Sequence, residues 1–214
     1  MKHSITKICA DSLRAYLNDK HNIQLKSGHA HEIVAAFFGY KSKIALLSDE
    51  RFPLENLESA SFIVLDQPIS QIAHRLASLE GLPPELPPSN IIVKGIYQGF
   101  SGQSSLSEKI FHDFHGLSLS IAKERLNQHT RHLGTNPPVE WINEVKVDVS
   151  EAEATATVTF DYPSTDGKNY SYCDVKITFP RIAGNIGYGQ PNVHPTFFSG
   201  QMRDPEFRMK SSTL

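Results

Sequence analysis

The chain has 214 residues, of which 39% are hydrophobic and 21% charged, and its formal net charge is −2. Near-neutrality excludes a uniformly basic, histone-like binder, because such proteins need many lysines and arginines that face phosphate. The longest unbroken apolar run spans residues 33–38, far fewer than the ~20 residues that cross a bilayer, so we expect no membrane-spanning helix.

The first twenty residues and the cysteines predict where the protein resides. Charged residues interrupt positions 1–20, which therefore lack the apolar core of a secretory signal. The two cysteines, Cys9 and Cys173, lie far apart in the chain, unlike the dense cysteine pattern of a disulfide framework. We therefore expect a cytoplasmic protein with two free thiols.

Charge alternates in blocks along the chain. The net charge is +4 over residues 1–47, −5 over 48–92, +2 over 93–139, −5 over 140–180 and +2 over 181–214. Each block is explained most simply as a solvated face. The near-zero total nevertheless leaves room for a local basic patch that binds a polyanion, and the N-terminal block is the most basic.

Three short helices are predicted in the first fifty residues. Apolar residues recur at helical spacing over residues 5–18. Ser27 is the expected N-cap of a second helix that Gly39 closes, and Ser42 is the expected N-cap of a third. These signals predict a helical module over residues 1–50.

A second domain is predicted over residues 51–214, beyond a boundary near residues 50–60. Its first half should contain strands and helices separated by a proline-rich connector at residues 82–89. The expected elements are a strand at 61–65, a helix from Pro68 to Gly81, a strand at 90–97, a loop at 98–105 and a helix over 106–133 that breaks or bends at Gly116 and stops at residues 136–138.

The period of the apolar pattern changes from 3.6 to 2 near residue 140. Alternation over residues 145–149, 156–162 and 173–179 predicts three antiparallel strands with one buried and one solvated face, and a turn is expected at residues 163–167. From Gly184 onward we expect an irregular tail. The predicted fold class is α+β: a small N-terminal helical module, followed by a domain whose antiparallel β-meander packs against helices.

Residues 29–46 have the layout of a helix-turn-helix. Ala35 permits a close helix crossing, Gly39 permits a positive φ in the turn, and Ser42 caps the second helix. The candidate nucleic-acid-binding residues in this module are Tyr40, Lys41, Ser42 and Lys43. The alternative is a plain packing unit, because the second helix is short and apolar, ends in Asp49-Glu50, and offers no side chain that reads base edges.

A second basic strip is predicted in the helix that precedes residue 136. It consists of Lys123, Arg125 and Arg131. Together with the N-terminal module, this strip would provide a second place for phosphate contacts.

The pattern Ser27-x-His29-x-x-Glu32-Ile33-x-Ala35-Ala36-x-x-Gly39-Tyr40-x-Ser42-x-x-Ala45-Leu46 resembles a short N-terminal helical module of uncharacterised bacterial proteins. Many of those proteins come from plasmids and other mobile elements, and some bear a glyoxalase-related name. The resemblance covers residues 27–46 and implies a bacterial, mobile-element origin. Glyoxalase chemistry requires a metal between paired βαβββ units, and the sequence contains no such duplication, so that activity is not expected here.

Histidine pairs form a weak alternative metal site. His112 and His115 are three residues apart, as are His129 and His132, and residues at that spacing share a helix face. No HExxH motif or paired cysteines accompany them, so surface histidines are the simpler interpretation. The glycines of residues 184–189 are not followed by a helix pattern, which argues against a phosphate-binding loop. We therefore predict no catalytic residue and no cofactor.

The function predicted from these observations is that of a non-enzymatic bacterial accessory or regulatory protein that binds a macromolecule. DNA bound by the basic N-terminal helices is the first candidate partner. The second candidate partner is another protein, in which case the chain would be an inhibitor or an immunity-type factor. It would bind that protein through the acidic blocks and through the sheet face, which includes threonines 155, 157 and 159. A metal-dependent enzyme that uses His112, His115, His129 and His132 is the third alternative.

Overall fold

The computed structural model describes residues 4–130, 142–163 and 169–201. Helices occupy most of the first half of the chain and antiparallel strands most of the second half, so the predicted α+β class is confirmed. The chain forms two compact units. Unit 1 comprises residues 1–113 and 181–190, and unit 2 comprises residues 114–180 and 191–214.

The secondary structure elements of the described residues are numbered in chain order. They are α1 (Ile5–His21), α2 (Ser27–Phe37), α3 (Lys43–Leu47), a 3₁₀ helix (Leu54–Ser59), β1 (Phe62–Val64), α4 (Pro68–Ser78), α5 (Ser89–Ser101), α6 (Ser104–Ser107), β2 (Ile110–Phe111), α7 (Phe114–Thr130), β3 (Ile142–Val149), β4 (Glu153–Pro163), β5 (Asn169–Ala183), β6 (Gly187–Tyr188) and β7 (Asn192–Gln201).

The boundary expected near residues 50–60 lies inside unit 1. The first fifty residues do not enclose a core of their own. Leu13 of α1 and Ile33 of α2 belong to the same hydrophobic cluster as Leu57 and Ile63. Helices this short cannot bury their apolar faces alone, so they share one core with the elements that follow.

The three N-terminal helices form where the sequence predicts them. The cap of α2 is Lys26, and Ser27 is the first helical residue, so the expected role of Ser27 as the N-cap is wrong. Ser42 caps α3 as predicted, because its hydroxyl accepts a hydrogen bond from the Ala45 amide at 3.1 Å. Gly39 adopts a φ of +80° in the turn between α2 and α3, a conformation that favours glycine.

Residues 90–97 form a helix, so the predicted strand is wrong. The run of β-branched residues at 91–93 suggested a strand, but the buried residues of α5, including Ile92, Ile96 and Phe100, have helical spacing. The helix packs closely on α1. A Cβ atom at Gly99 would lie 2.6 Å from the Cβ of Ser12, and one at Gly95 would lie 2.9 Å from the Tyr16 ring. Tertiary packing therefore overrides the local β preference.

The predicted helix from residue 106 to residue 133 is interrupted. Strand β2 separates α6 from α7, and it pairs in parallel with β1 through Ile63 opposite Ile110. Gly116 lies inside α7 and does not break it. The apolar residues 106, 110 and 111 have helical spacing, but Ile110 and Phe111 extend a small sheet in unit 1 that also contains β6.

In its described residues, unit 2 consists of one helix against an antiparallel sheet. The described strands pair in the order β3, β4, β5, β7, and all pairs are antiparallel, so the predicted pairing of the three-stranded meander is confirmed. The buried face predicted for residues 145–149 is wrong, because Val147 and Val149 of β3 are 40% and 54% exposed. Helix α7 packs against β3, β4 and β7. Alternate residues of the two central strands are buried on the inner face: Ala154, Ala156, Val158 and Phe160 of β4, and Cys173, Val175, Ile177 and Phe179 of β5.

Residues 192–201 form a strand, although the sequence predicted an irregular tail from Gly184. Ten residues of β7 pair with β5, from Asn192 opposite Thr178 to Gln201 opposite Asn169. Among the described residues, no further strand lies beside β7. Pro195 is compatible with this edge position, because proline has no backbone N–H to donate to a neighbouring strand. Three predictions lie outside the described residues: the helix stop at 136–138, most of the 163–167 turn, and the frayed C-terminus.

No helix among the described residues is both long enough and apolar enough to cross a membrane.

Candidate functional site

The turn between α2 and α3 is held on both sides by polar side chains. The Asn185 side-chain amide donates to the Gly39 carbonyl at 2.7 Å, and the Lys43 amide donates to Glu32 Oε2 at 3.0 Å. Glu32 also pairs with Arg75 of α4, whose Nη2 lies 2.5 Å from the same oxygen. Both ends of the turn are therefore anchored to neighbouring elements of unit 1.

The segment after α3 is anchored by a partly buried charged network. Asp49 Oδ2 accepts the Tyr40 hydroxyl at 2.6 Å and pairs with Arg181 Nη2 at 2.7 Å. The Arg181 and Asp49 side chains are only 10% and 17% exposed, and the guanidinium lies 4.5 Å from the centre of the Phe52 ring. Charge-assisted hydrogen bonds of this kind fix geometry strongly where water is excluded.

The outer side of α3 is apolar. Ile44 is 77% exposed and Leu47 is 66% exposed, which makes them the most exposed large hydrophobic residues of the described chain. Residues three apart on a helix share a face. The intervening Ala45 and Leu46 pack against the hydrophobic core of unit 1. Together with the exposed Lys41, Ile44 and Leu47 form what we call the α3 surface.

The four residues predicted to contact nucleic acid in this module have different environments. The Tyr40 hydroxyl donates to Asp49, and burial, followed by that hydrogen bond, raises the pKa of Tyr40. The Ser42 hydroxyl caps α3. Lys41 is exposed and Lys43 is half-buried. Only the two lysines are therefore placed to meet phosphate, because Tyr40 and Ser42 already use their hydroxyl groups within the fold.

The predicted basic strip of α7 lies in unit 2. Arg125 is exposed and Lys123 is half-buried. Residues two apart on a helix point to different sides, so these two side chains do not form one strip. The third member, Arg131, lies outside the described residues.

The predicted histidine site is only partly described. His112 follows β2 and precedes α7, whereas His115 lies within α7, so the two do not share a helix as the spacing suggested. The side chain of His129 and the whole of His132 lie outside what the structure describes. Within the described ranges, no group of three or more His, Cys, Asp or Glu side chains has the geometry to hold a metal ion.

Both cysteines are free, as the sequence predicted, and both are buried. Burial raises the pKa of the Cys9 thiol to about 12 and that of Cys173 to about 11. A nucleophilic cysteine needs a lowered pKa and access to solvent, so both thiols are structural. The glycines of residues 184–189 lie around the short strand β6, and the next element is strand β7 rather than a helix.

The α3 surface could not be recognised as a site from the sequence. The short apolar segment at residues 43–47 was visible, but which of its side chains face outward depends on how α3 docks on the core. The partnership between Asp49 and Arg181 joins residues 132 positions apart, and no local pattern predicts it.

Comparisons with protein families, with characterised proteins and with solved structures found no match to this chain.

Proposed function

We propose that the chain is a non-enzymatic accessory or regulatory protein that binds another protein through the α3 surface. The observation that carries this proposal is the exposure of Ile44 and Leu47, one turn apart, on a segment whose ends are fixed by hydrogen bonds and ion pairs. Exposed apolar residues on a rigid segment are typical of interaction sites, because burying them in a partner gains free energy at little cost in ordering.

The chemistry of the α3 surface favours a protein partner over DNA. A five-residue helix is only about 7.5 Å long, and its outward aliphatic side chains cannot form hydrogen bonds to base edges. The candidate phosphate contacts of this module that remain accessible are Lys41 and Lys43, whereas specific DNA binders contact many phosphates. Lys41 suits the polar rim of a protein interface, where it would favour an acidic partner.

This proposal is tested with a photo-crosslinking amino acid at position 44 of the protein, expressed in its native host cell. We expect one predominant protein adduct, and we expect Leu47→Asp to abolish it. The matched control carries the crosslinker at the exposed Gln24 and should give no such adduct. The purified partner should then bind the wild type and lose at least about tenfold in affinity for the Leu47→Asp variant.

The DNA alternative gives the opposite result in a simple titration. If the α3 surface contacts DNA, duplex affinity should fall steeply between 50 and 200 mM salt, and Lys41→Glu with Lys43→Glu should abolish it. We expect no such salt-dependent binding. Steep salt dependence together with no adduct at position 44 would overturn the protein assignment.

The outer face of the unit 2 sheet is the second candidate surface for a protein partner. It carries Thr155, Thr157 and Thr159 along β4, as the sequence predicted. Tyr172 stacks on Phe198 at this face, with ring centres 4.5 Å apart and Phe198 39% exposed. Exposed aromatic rings anchor protein interfaces. If a crosslinker at position 198 captures a protein and one at position 44 captures none, the partner binds this face rather than the α3 surface.

A bacterial mobile-element origin and a cytoplasmic location complete the proposal. The resemblance of residues 27–46 supports the origin, and two free buried thiols are compatible with a reducing compartment. Fractionation of the encoding cells, with antibody detection of the protein, tests the location.

A further inference from the structure

A cleft of about 400 Å³ opens in unit 1, and its walls are mainly apolar. Phe37 and Leu65 are buried at its apolar side, and the half-buried Pro68 and Val93 line it as well. Two tyrosine rings, Tyr16 and Tyr97, complete the apolar lining. This volume lies within the range of small-molecule sites, which are apolar with a few polar groups that set orientation.

The cleft lies at the carboxyl ends of the two parallel strands of unit 1. Leu65 directly follows β1 and His112 directly follows β2, and the Leu65 amide donates to the Phe111 carbonyl at 2.9 Å. Pro68 begins α4 two residues after Asp66. Ligands of open sheets with parallel strands bind outside the carboxyl ends of those strands, where the connecting segments diverge.

Three polar side chains line the cleft: Lys94 and Gln98, one turn apart on α5, and His112. All three are exposed, and none has a hydrogen-bond or ion-pair partner within the described ranges of the chain. No aspartate or glutamate is among the described residues that line the cleft. The polar groups therefore offer hydrogen-bond donors, and Lys94 a positive charge, in a lining that contains no carboxylate among the described residues.

The backbone next to the cleft is strained. Gln67 has a φ of +48°, which is uncommon for any residue other than glycine, and it precedes Pro68 at the start of α4. A proline restricts the residue before it further. Strain of this kind persists only where the surrounding structure enforces it, and it occurs frequently beside ligand sites.

We propose that this cleft binds a small aromatic carboxylate, with its ring against the apolar lining that includes Tyr16 and Tyr97, and its carboxylate at Lys94, Gln98 and His112. The apolar lining accounts for the ring, and the donors account for the negative charge. This inference is independent of the proposed function, because it uses none of the residues of the α3 surface.

The test compares two probes of nearly equal shape, naphthalene-1-acetate and the neutral naphthalene-1-acetamide, by NMR titration of the full chain. We expect saturable binding of both, with shifts concentrated at amides of α5 and of residues 65–68. The carboxylate should bind about fivefold more tightly, because it gains a charge-assisted contact at a partly exposed site. Lys94→Gln should remove that advantage and leave amide binding unchanged.

Two further variants and one further probe make the result specific. Lys26→Gln, at an exposed lysine that does not line the cleft, should preserve the fivefold difference. Val93→Trp should weaken binding of both probes by tenfold or more, because the indole occupies the cleft. Tighter binding of 1-naphthyl phosphate than of the carboxylate would overturn the carboxylate assignment. Equal affinity of the two original probes, or no saturable binding of either, would overturn the proposal itself.

Discussion

Units 1 and 2 bury comparable kinds of apolar residues but hold them by different means. Unit 1 packs short helices against one another, brings α1 and α5 into close approach at two glycines, and fixes the segment after α3 with the network of Tyr40, Asp49 and Arg181. Unit 2 lays α7 against an antiparallel sheet whose two central strands, β4 and β5, alternate between a buried and a solvated face. Unit 1 therefore depends on specific long-range contacts, and unit 2 on a repetitive pattern. Changes to single residues should affect the two units differently.

The largest effect is expected in the core of unit 2. Phe179 is fully buried on the inner sheet face and packs against Phe114 with ring centres 5.7 Å apart. Phe179→Ala should lower the free energy of unfolding by about 3–5 kcal/mol, because it removes a large side chain and leaves a cavity. Urea unfolding measures this loss. Thr178→Ala, on the opposite face of β5, should cost less than about 0.5 kcal/mol, and an equal cost for both would contradict the two-faced sheet.

A somewhat smaller loss is expected from the charged network of unit 1. Asp49→Ala should cost about 3 kcal/mol, because Arg181 would remain largely buried without its carboxylate and the Tyr40 hydroxyl would lose its acceptor. Glu50→Gln changes the charge of the exposed neighbouring residue and should cost less than about 0.5 kcal/mol. Thermal unfolding of both variants provides the comparison, and a stable Asp49→Ala protein would show that the network contributes nothing.

The glycine contacts between α1 and α5 should give the next effect. Gly99→Ala should cost about 1–3 kcal/mol, since its Cβ would lie 2.6 Å from the Cβ of Ser12 and 3.0 Å from the Ile8 carbonyl oxygen. Gly28→Ala in α2 is the matched control. Its Cβ would meet no atom within 4 Å, so alanine should stabilise the protein by about 0.5–1 kcal/mol. Opposite signs for the two substitutions in urea unfolding are the expected result.

The two buried thiols should make stability fall at alkaline pH. Because burial raises both native pKa values above those of the unfolded chain, the unfolded chain releases its thiol protons first as the pH rises. The stabilisation is complete below about pH 9 and decreases above it, and each thiol should account for about 1 kcal/mol between pH 8 and pH 10. Cys9→Ala should remove the part of the alkaline stability loss that comes from unit 1, and Cys173→Ala should remove the part that comes from unit 2. An unchanged pH dependence in both variants would contradict the assigned burial.

A small gain in stability is expected from one polar residue in unit 2. Ser118 is fully buried in α7, and its hydroxyl has no hydrogen-bond partner among the described residues. Ser118→Ala should raise the free energy of unfolding by about 1 kcal/mol, because it removes an unsatisfied buried group with little change in volume. A loss of stability on substitution would indicate that the hydroxyl makes a contact in solution.

The predictions from the sequence were most accurate where one periodicity extended over many residues. Alternation gave the meander and the buried face of β4 and β5, including Cys173, but not of β3, whose Val147 and Val149 are exposed. Helical spacing of apolar residues located α1, Gly39 marked the end of α2, and the Ser42 cap located the start of α3. The same reasoning failed at residues 90–97, where a β-branched run forms a helix, and at residues 192–201, where proline and glycine concealed an edge strand.

The candidate sites were predicted less well than the fold. Tyr40 was expected to contact phosphate, but its hydroxyl is held by Asp49. The apolar character of residues 43–47 was visible, whereas the exposure of Ile44 and Leu47 was not. The cleft of unit 1 is formed by side chains from α1, α2, α4, α5 and the ends of two parallel strands, and no local pattern connects them.

The sequence by itself determined the α+β class, the N-terminal helices and the meander of unit 2, because each depends on local propensity and on a short repeat of apolar residues. Only the tertiary structure decided the helical state of α5, the strand at β7, the Asp49–Arg181 network and the outward face of α3. Each of these depends on contacts between residues distant in the chain, whose free energy exceeds the local preferences of the residues involved.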